Sequence, residues 1–147
     1  MNALWILVAD SAHARIFQGG KPDATLTEVG CYINPEGRAH GRDITTERPP
    51  SVQEGASPTR HGITPHTTLR EKSAERFARS LDATLLRAQE ERKYDRLVII
   101  APPHFLGELK QHLSDPVRQR VVGEIPRNYT ALPPAELHQH LADQQLN

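Results

Sequence analysis

Leu97-Val98-Ile99-Ile100-Ala101-Pro102-Pro103 is the stretch on which the fold turns. Five consecutive apolar residues leave no polar face, so they read as a strand covered on both sides. Pro102 and Pro103 end that strand and suit the first turn of a helix, where a missing N–H loses no bond. A second run of this kind, Ala3-Leu4-Trp5-Ile6-Leu7-Val8-Ala9, stands near the N-terminus. Two fully apolar strands predict neighbouring places in the middle of one sheet.

Working outward, Asp10-Ser11-Ala12-His13 breaks the first run, and Ala14-Arg15-Ile16-Phe17 resumes it as a second strand. Gly19-Gly20-Lys21-Pro22-Asp23 is a turn, and Leu26, Val29 and Tyr32-Ile33 mark a third strand over about 25–33. Short connections make these three an antiparallel meander. Thr67 or Thr68 caps a helix running to about Lys93. Its Ala74, Phe77, Ala78, Leu81, Leu85 and Ala88 fall within roughly 100° of one another, a buried stripe. Leu86 lies off that stripe and is expected to meet a loop or a partner. Beyond the fourth strand come helices over 104–113 and about 115–120, a strand over 121–125 and a helix over 134–146. The order β-β-β-α-β-α-β-α predicts an α/β, ribonuclease H-like fold: a mixed five-stranded sheet with helices on both faces.

Residues 34–66 differ in kind. They hold five Pro, four Gly and only five apolar side chains. Such a stretch buries too little to offset its ordering entropy. It reads as a long flexible insertion loop within a single domain spanning 1–147.

Eighteen basic and eighteen acidic residues cancel, which excludes coating of nucleic acid by bulk charge. One cysteine, Cys31, excludes an internal disulfide framework and a Cys-rich zinc site. No apolar run reaches the ~18 residues of a membrane span. The N-terminal run lacks a basic leader and a cleavage site, so it reads as a strand, and the expected address is cytoplasmic.

Candidate chemistry gathers in three places. Asp10 ends the first strand, and with Glu71 or Glu75 it could start a two-metal nuclease site. The fourth strand, which should add a further acid, ends instead in Ala101-Pro102-Pro103. The plainer role for Asp10 is to cap its own turn. His13 and His104 follow the first and fourth strands, and with Asp10 they could border a ligand crevice. His40, His61 and His66 lie in the loop without a recognised metal spacing, so neither metal nor cofactor is expected. Third, Lys72, Arg76, Arg79 and Arg87 share the helix face opposite the buried stripe, and Arg38 and Arg42 precede them. Guanidinium groups suit phosphate. The loop has no aromatic residue to stack on bases, which points to backbone contact rather than base reading.

Four blocks in order carry a resemblance: Leu7-Val8-Ala9-Asp10-Ser11-Ala12-His13-Ala14-Arg15-Ile16-Phe17, Asn34-Pro35-Glu36-Gly37-Arg38, Phe77-Ala78-Arg79 and Ala101-Pro102-Pro103-His104-Phe105-Leu106-Gly107-Glu108-Leu109. Over nearly the whole chain they resemble the bacterial host attachment protein family. That family is regarded as related to the middle domain of archaeal and eukaryotic class-1 release factors, which is ribonuclease H-like. In those factors a strand-turn-strand bearing an Asp precedes a Gly-Gly-Gln loop and a long basic helix. Asp10, the 34–66 loop and the 67–93 helix take the same places here. Gly-Gly-Gln itself is absent, and the nearest stretch is Gly37-Arg38-Ala39-His40-Gly41-Arg42-Asp43. Peptidyl-tRNA hydrolysis is therefore not expected. The resemblance implies a non-catalytic binding module touching structured RNA or the ribosome through Arg38, Arg42, Lys72, Arg76 and Arg79. Two alternatives stand beside it. One is a protein partner or self-association through the 34–66 loop, and the other a metal-dependent nuclease or esterase centred on Asp10.

Overall fold

The computed structural model describes residues 3–19, 26–36 and 65–144. Residues 37–64, with Arg38, Arg42, His40 and His61, lie outside the described residues, as does the side chain of His66. The strands are β1 (Leu4–Ala9), β2 (His13–Gly19), β3 (Thr27–Ile33), β4 (Arg96–Ile100) and β5 (Val121–Ile125). The helices are α1 (Pro65–Glu90), α2 (Pro103–His112), α3 (Asp115–Arg118) and α4 (Pro134–Asp143).

The strands form one mixed sheet in the order β3-β2-β1-β4-β5. β1 pairs antiparallel with β2, and β2 with β3, whereas β1 to β4 and β4 to β5 are parallel. The two fully apolar runs are neighbours, with Leu4 opposite Arg96 and Val8 opposite Ile100. Every residue of β1 is buried.

The core has two layers. Leu7, Ala9, Ile16, Leu97 and Ile99 pack beneath the Ala74–Ala88 stripe of α1, together with Phe105 and Leu109 of α2 and Val117 of α3. Leu4, Ile6, Val8, Phe17, Val98 and Ile100 meet Leu137 and Leu141 of α4 on the other face. Both crossovers advance the same way across the sheet, so equal handedness puts their helices on one face. The other face is left to α4. Leu86, off the main stripe, is half-buried against the α1-side core.

Three polar bonds join the elements on the α1 face. Asp82 of α1 accepts from the Ser114 backbone N–H (2.8 Å) and hydroxyl (3.0 Å), which fixes the α2–α3 junction. Tyr94 stacks on Trp5 (centroids 5.0 Å apart) and donates its hydroxyl to the Leu85 carbonyl at 2.9 Å. α1 ends with Arg92 in the left-handed region (φ 59°) and the Lys93 N–H returning to the Ala88 carbonyl. This is the usual reversal at a helix C-terminus, made without glycine.

Candidate functional site

β1, β3 and β4 run parallel, so Asp10, Asn34 and Ala101 all leave the sheet at one end. The segment after β5 arrives there too. Asp10 is the hub. Its Oδ1 accepts the backbone N–H groups of Ala12 and His13, each at 2.8 Å, and lies 3.0 Å from His13 Nδ1. Its Oδ2 faces Asn128 Nδ2 and the Thr130 hydroxyl, both at 3.4 Å. The Asp10 N–H donates back to the His13 carbonyl. The carboxylate therefore caps its own turn and steadies the segment beyond β5.

Two buried polar residues extend this order, Asn34 and Ser73. The Asn34 backbone N–H donates to the Ala12 carbonyl, and its Nδ2 donates to the Ser11 carbonyl (2.9 Å) and the Ser73 hydroxyl oxygen (3.0 Å). One amide thus joins the β1–β2 turn, the end of β3 and α1. Arg15, from the α4 face of β2, donates to the Thr130 and Leu132 carbonyls at 3.1 and 3.0 Å and pairs with Glu28. Thr130 in turn donates its hydroxyl to Asn128 Oδ1 at 2.7 Å.

Of the three proposed crevice residues, Asp10 and His13 meet. His104 is exposed on the first turn of α2 and hydrogen-bonds to neither among the described residues. No group of three His, Cys, Asp or Glu side chains is placed to hold a metal among the described residues. Glu75 is turned to Arg79, and Glu71 is exposed.

The basic face of α1 is largely neutralised. Arg76 holds Glu36 with two bonds, from Nε (3.0 Å) and Nη2 (2.7 Å), and the Glu36 hydrogen bond raises its pKa further. Arg79 pairs with Glu75 at 2.6 Å and Arg87 with Glu91 at 3.6 Å. The Lys93 bond holds the Glu91 carboxyl below the usual range. Lys72 is exposed and makes no ion pair with a described residue. Arg38 and Arg42, the other two expected contacts, fall in the undescribed stretch.

Sequence reasoning did not single out Asn34, Ser73, Asn128, Thr130 or Arg15. Asn128 and Thr130 carried a usable signal, since an Asn two residues before a polar residue favours a turn closed by its own side chain. Asn34 and Ser73 are 39 residues apart, and no local pattern joins them.

Among the described residues no helix is long and apolar enough to cross a membrane. A family model described as "protein required for attachment to host cells" matches residues 5–141. No curated protein matches the chain. Among solved structures, the chain is similar to an archaeal translation termination factor, aRF1, at 9% identity and a TM-score of 0.47, over 98% of this chain and 39% of that one. It is similar to a further archaeal protein at 9% identity and a TM-score of 0.47, over 98% of this chain and 38% of that one. The chain thus spans about two fifths of the length of these two structures.

Proposed function

The chain belongs to the family required for attachment to host cells, and we propose that it serves there as a non-catalytic binding module with a protein partner. The observation that carries this reading is the apolar surface of edge strand β3. Val29 is 44% and Ile33 54% exposed, the largest open apolar side chains of the described sheet apart from Val122 on the other edge. The polar cluster supports it by its engagement. Asp10 spends Oδ1 on two backbone N–H groups and His13, the arrangement of a structural cap rather than of a carboxylate awaiting metal or substrate.

A photo-crosslinking residue placed at position 33, and separately at 72, tests the reading in the cells that make the protein. Protein adducts at 33 are expected. Mg²⁺-dependent cleavage of RNA or of an ester by the pure protein, lost in Asp10→Asn, would refute a non-catalytic role.

A second reading, contact with structured RNA or the ribosome, is favoured by the exposed Lys72, which makes no ion pair with a described residue, followed by Arg76 and Arg79 on one face, with Arg38 and Arg42 earlier in the chain. It expects RNA adducts at position 72 and an affinity that falls steeply with salt, less steeply in Arg76→Ala with Arg79→Ala.

A further inference from the structure

β3 has a free outer edge among the described residues, since the sheet ends with it. Its seven residues, Thr27-Glu28-Val29-Gly30-Cys31-Tyr32-Ile33, include neither Lys nor Pro, the residues that usually blunt an edge. The pairing with β2 also skips one residue. Ile16 faces Gly30 and Phe17 faces Glu28, so Val29 has no counterpart in β2. A bulged residue is left out of the ladder.

Beside this edge runs a groove between β3 and α1. At one end is a recess of about 850 Å³ floored by Trp5 and Tyr32 and walled by Thr84 and Ala88. A smaller recess of about 440 Å³, sharing Tyr32 and Thr84, continues it to Pro35 and Arg76. Along α1 from Arg76 to Ala88 the groove is about 18 Å long. That matches five or six extended residues at about 3.3 Å each. The small side chains of Ala3, Thr84 and Ala88 leave the larger recess open. Its rim has Arg87, Arg92 and Lys93 against one carboxylate, Glu91, which Arg87 and Lys93 share. That excess of cations sets the charge of what fits.

We propose that this groove takes an extended acidic peptide, which adds to β3 as a sixth strand. Main-chain bonds to the β3 edge supply attachment, and alternate apolar side chains pack at the mouth of the recesses beside Val29 and Tyr32. Carboxylates near one end of the peptide meet Arg87 and Lys93. The proposal rests on the protein-partner reading and names the chemistry of that partner.

The test uses the full chain and three labelled probes of about eight residues: an alternating Glu-Val peptide, a Lys-Val counterpart, and the Glu-Val peptide N-methylated at alternate residues. Fluorescence anisotropy reads binding, and emission from Trp5, the chain's one tryptophan, reads its place. The Glu-Val peptide is expected to saturate and to shift Trp5 emission. The other two probes should bind about tenfold more weakly or worse. Arg87→Glu with Lys93→Glu should lower affinity for the Glu-Val peptide by a similar factor, while the melting curve moves down only slightly with the loss of two exposed ion pairs to Glu91. No saturation by about 1 mM, equal binding of the N-methylated probe, or indifference to the charge reversal each overturns the proposal. So does a dimer, lost in Ile33→Lys, from a chain that binds no peptide, because a second copy then occupies the edge. Protein adducts at position 33 without peptide binding would leave the protein-partner reading standing and remove strand addition alone.

Discussion

β1 and β3 are both short apolar strands of one sheet, and the molecule treats them oppositely. All six residues of β1 are buried, whereas five of the seven in β3 are exposed and the other two partly covered. Intrinsic preference does not separate them, since Val, Ile and Tyr in β3 are good strand formers. Position does. Among the described residues β1 has β2 and β4 beside it and a helix layer on each face, whereas β3 has one neighbour and a single helix leaning over part of one face. Burial, and with it the energetic value of an apolar side chain, is conferred by neighbours. An apolar residue without them is available for contact with something else.

The sharpest way to break this comparison is to truncate one isoleucine in each environment. Ile99 of β4, the partner of Leu7, is fully buried, and Ile33 of β3 is half exposed. Ile99→Ala should cost about 2–5 kcal/mol through lost transfer energy and the cavity it leaves. Ile33→Ala should stay within about 0.5 kcal/mol. Urea titrations of both variants measure this directly, and equal losses would mean that β3 is covered by something in solution.

The polar joint at the end of β3 comes next in size. Asn34 is buried, so Asn34→Ala leaves the Ser11 carbonyl and the Ser73 hydroxyl short of a donor. A loss of about 1–3 kcal/mol is expected in the same titration. Asp10→Ala should cost no more, because its turn lies nearer to water and the lost N–H bonds can be replaced there.

These two variants also mark how far the chain could be read before folding. Leu97–Ala101 and Ala3–Ala9 announced their own burial, because a run without a polar face has only one stable place. The helical stripe Ala74–Ala88 was equally plain, since period fixes face. Asn34 was not legible. Its partners lie 23 and 39 residues away, and only the meander and crossover together bring Ser11 and Ser73 to its amide. The basic face of α1 was half legible. Spacing put Lys72, Arg76 and Arg79 on one side, but Glu36 reaches Arg76 across 40 residues and cancels much of what the pattern promised.

Tyr94 refines the comparison by pH. Burial pushes its hydroxyl up to about 12, against about 10 in the unfolded chain. A raised acid pKa means that the folded state keeps the proton that the unfolded state gives up. The contribution is therefore complete below pH ~10 and is lost as pH rises from ~10 towards ~12. Stability of the parent should fall across that window. Tyr94→Phe should lose about 0.5–1.5 kcal/mol at neutral pH, with its bond to Leu85, and should show a smaller alkaline fall. Urea midpoints at about pH 9 and 11.5 separate these outcomes.

The smallest effect lies where α1, which covers the buried strands, hands the chain on to β4. Arg92 sits at φ 59°, a region that costs a side chain with a Cβ about 1 kcal/mol and glycine almost nothing. The bond from the Lys93 N–H to the Ala88 carbonyl fixes the reversal, so the residue cannot relax without opening the last turn of α1. Arg92→Gly removes the strain but also loosens the unfolded chain, which returns part of the gain. The balance is a stabilisation of about 0.5 kcal/mol, read as a small rise in the urea midpoint. Arg92→Ala, which keeps the Cβ, should show none of it, and it separates backbone strain from the loss of a cation. Arg92 also stands on the rim of the β3–α1 groove. If that rim attracts acidic peptides, both variants should bind the Glu-Val probe more weakly than the parent while only the glycine variant is stabilised. The residue would then answer to the core through its backbone and to the edge through its charge.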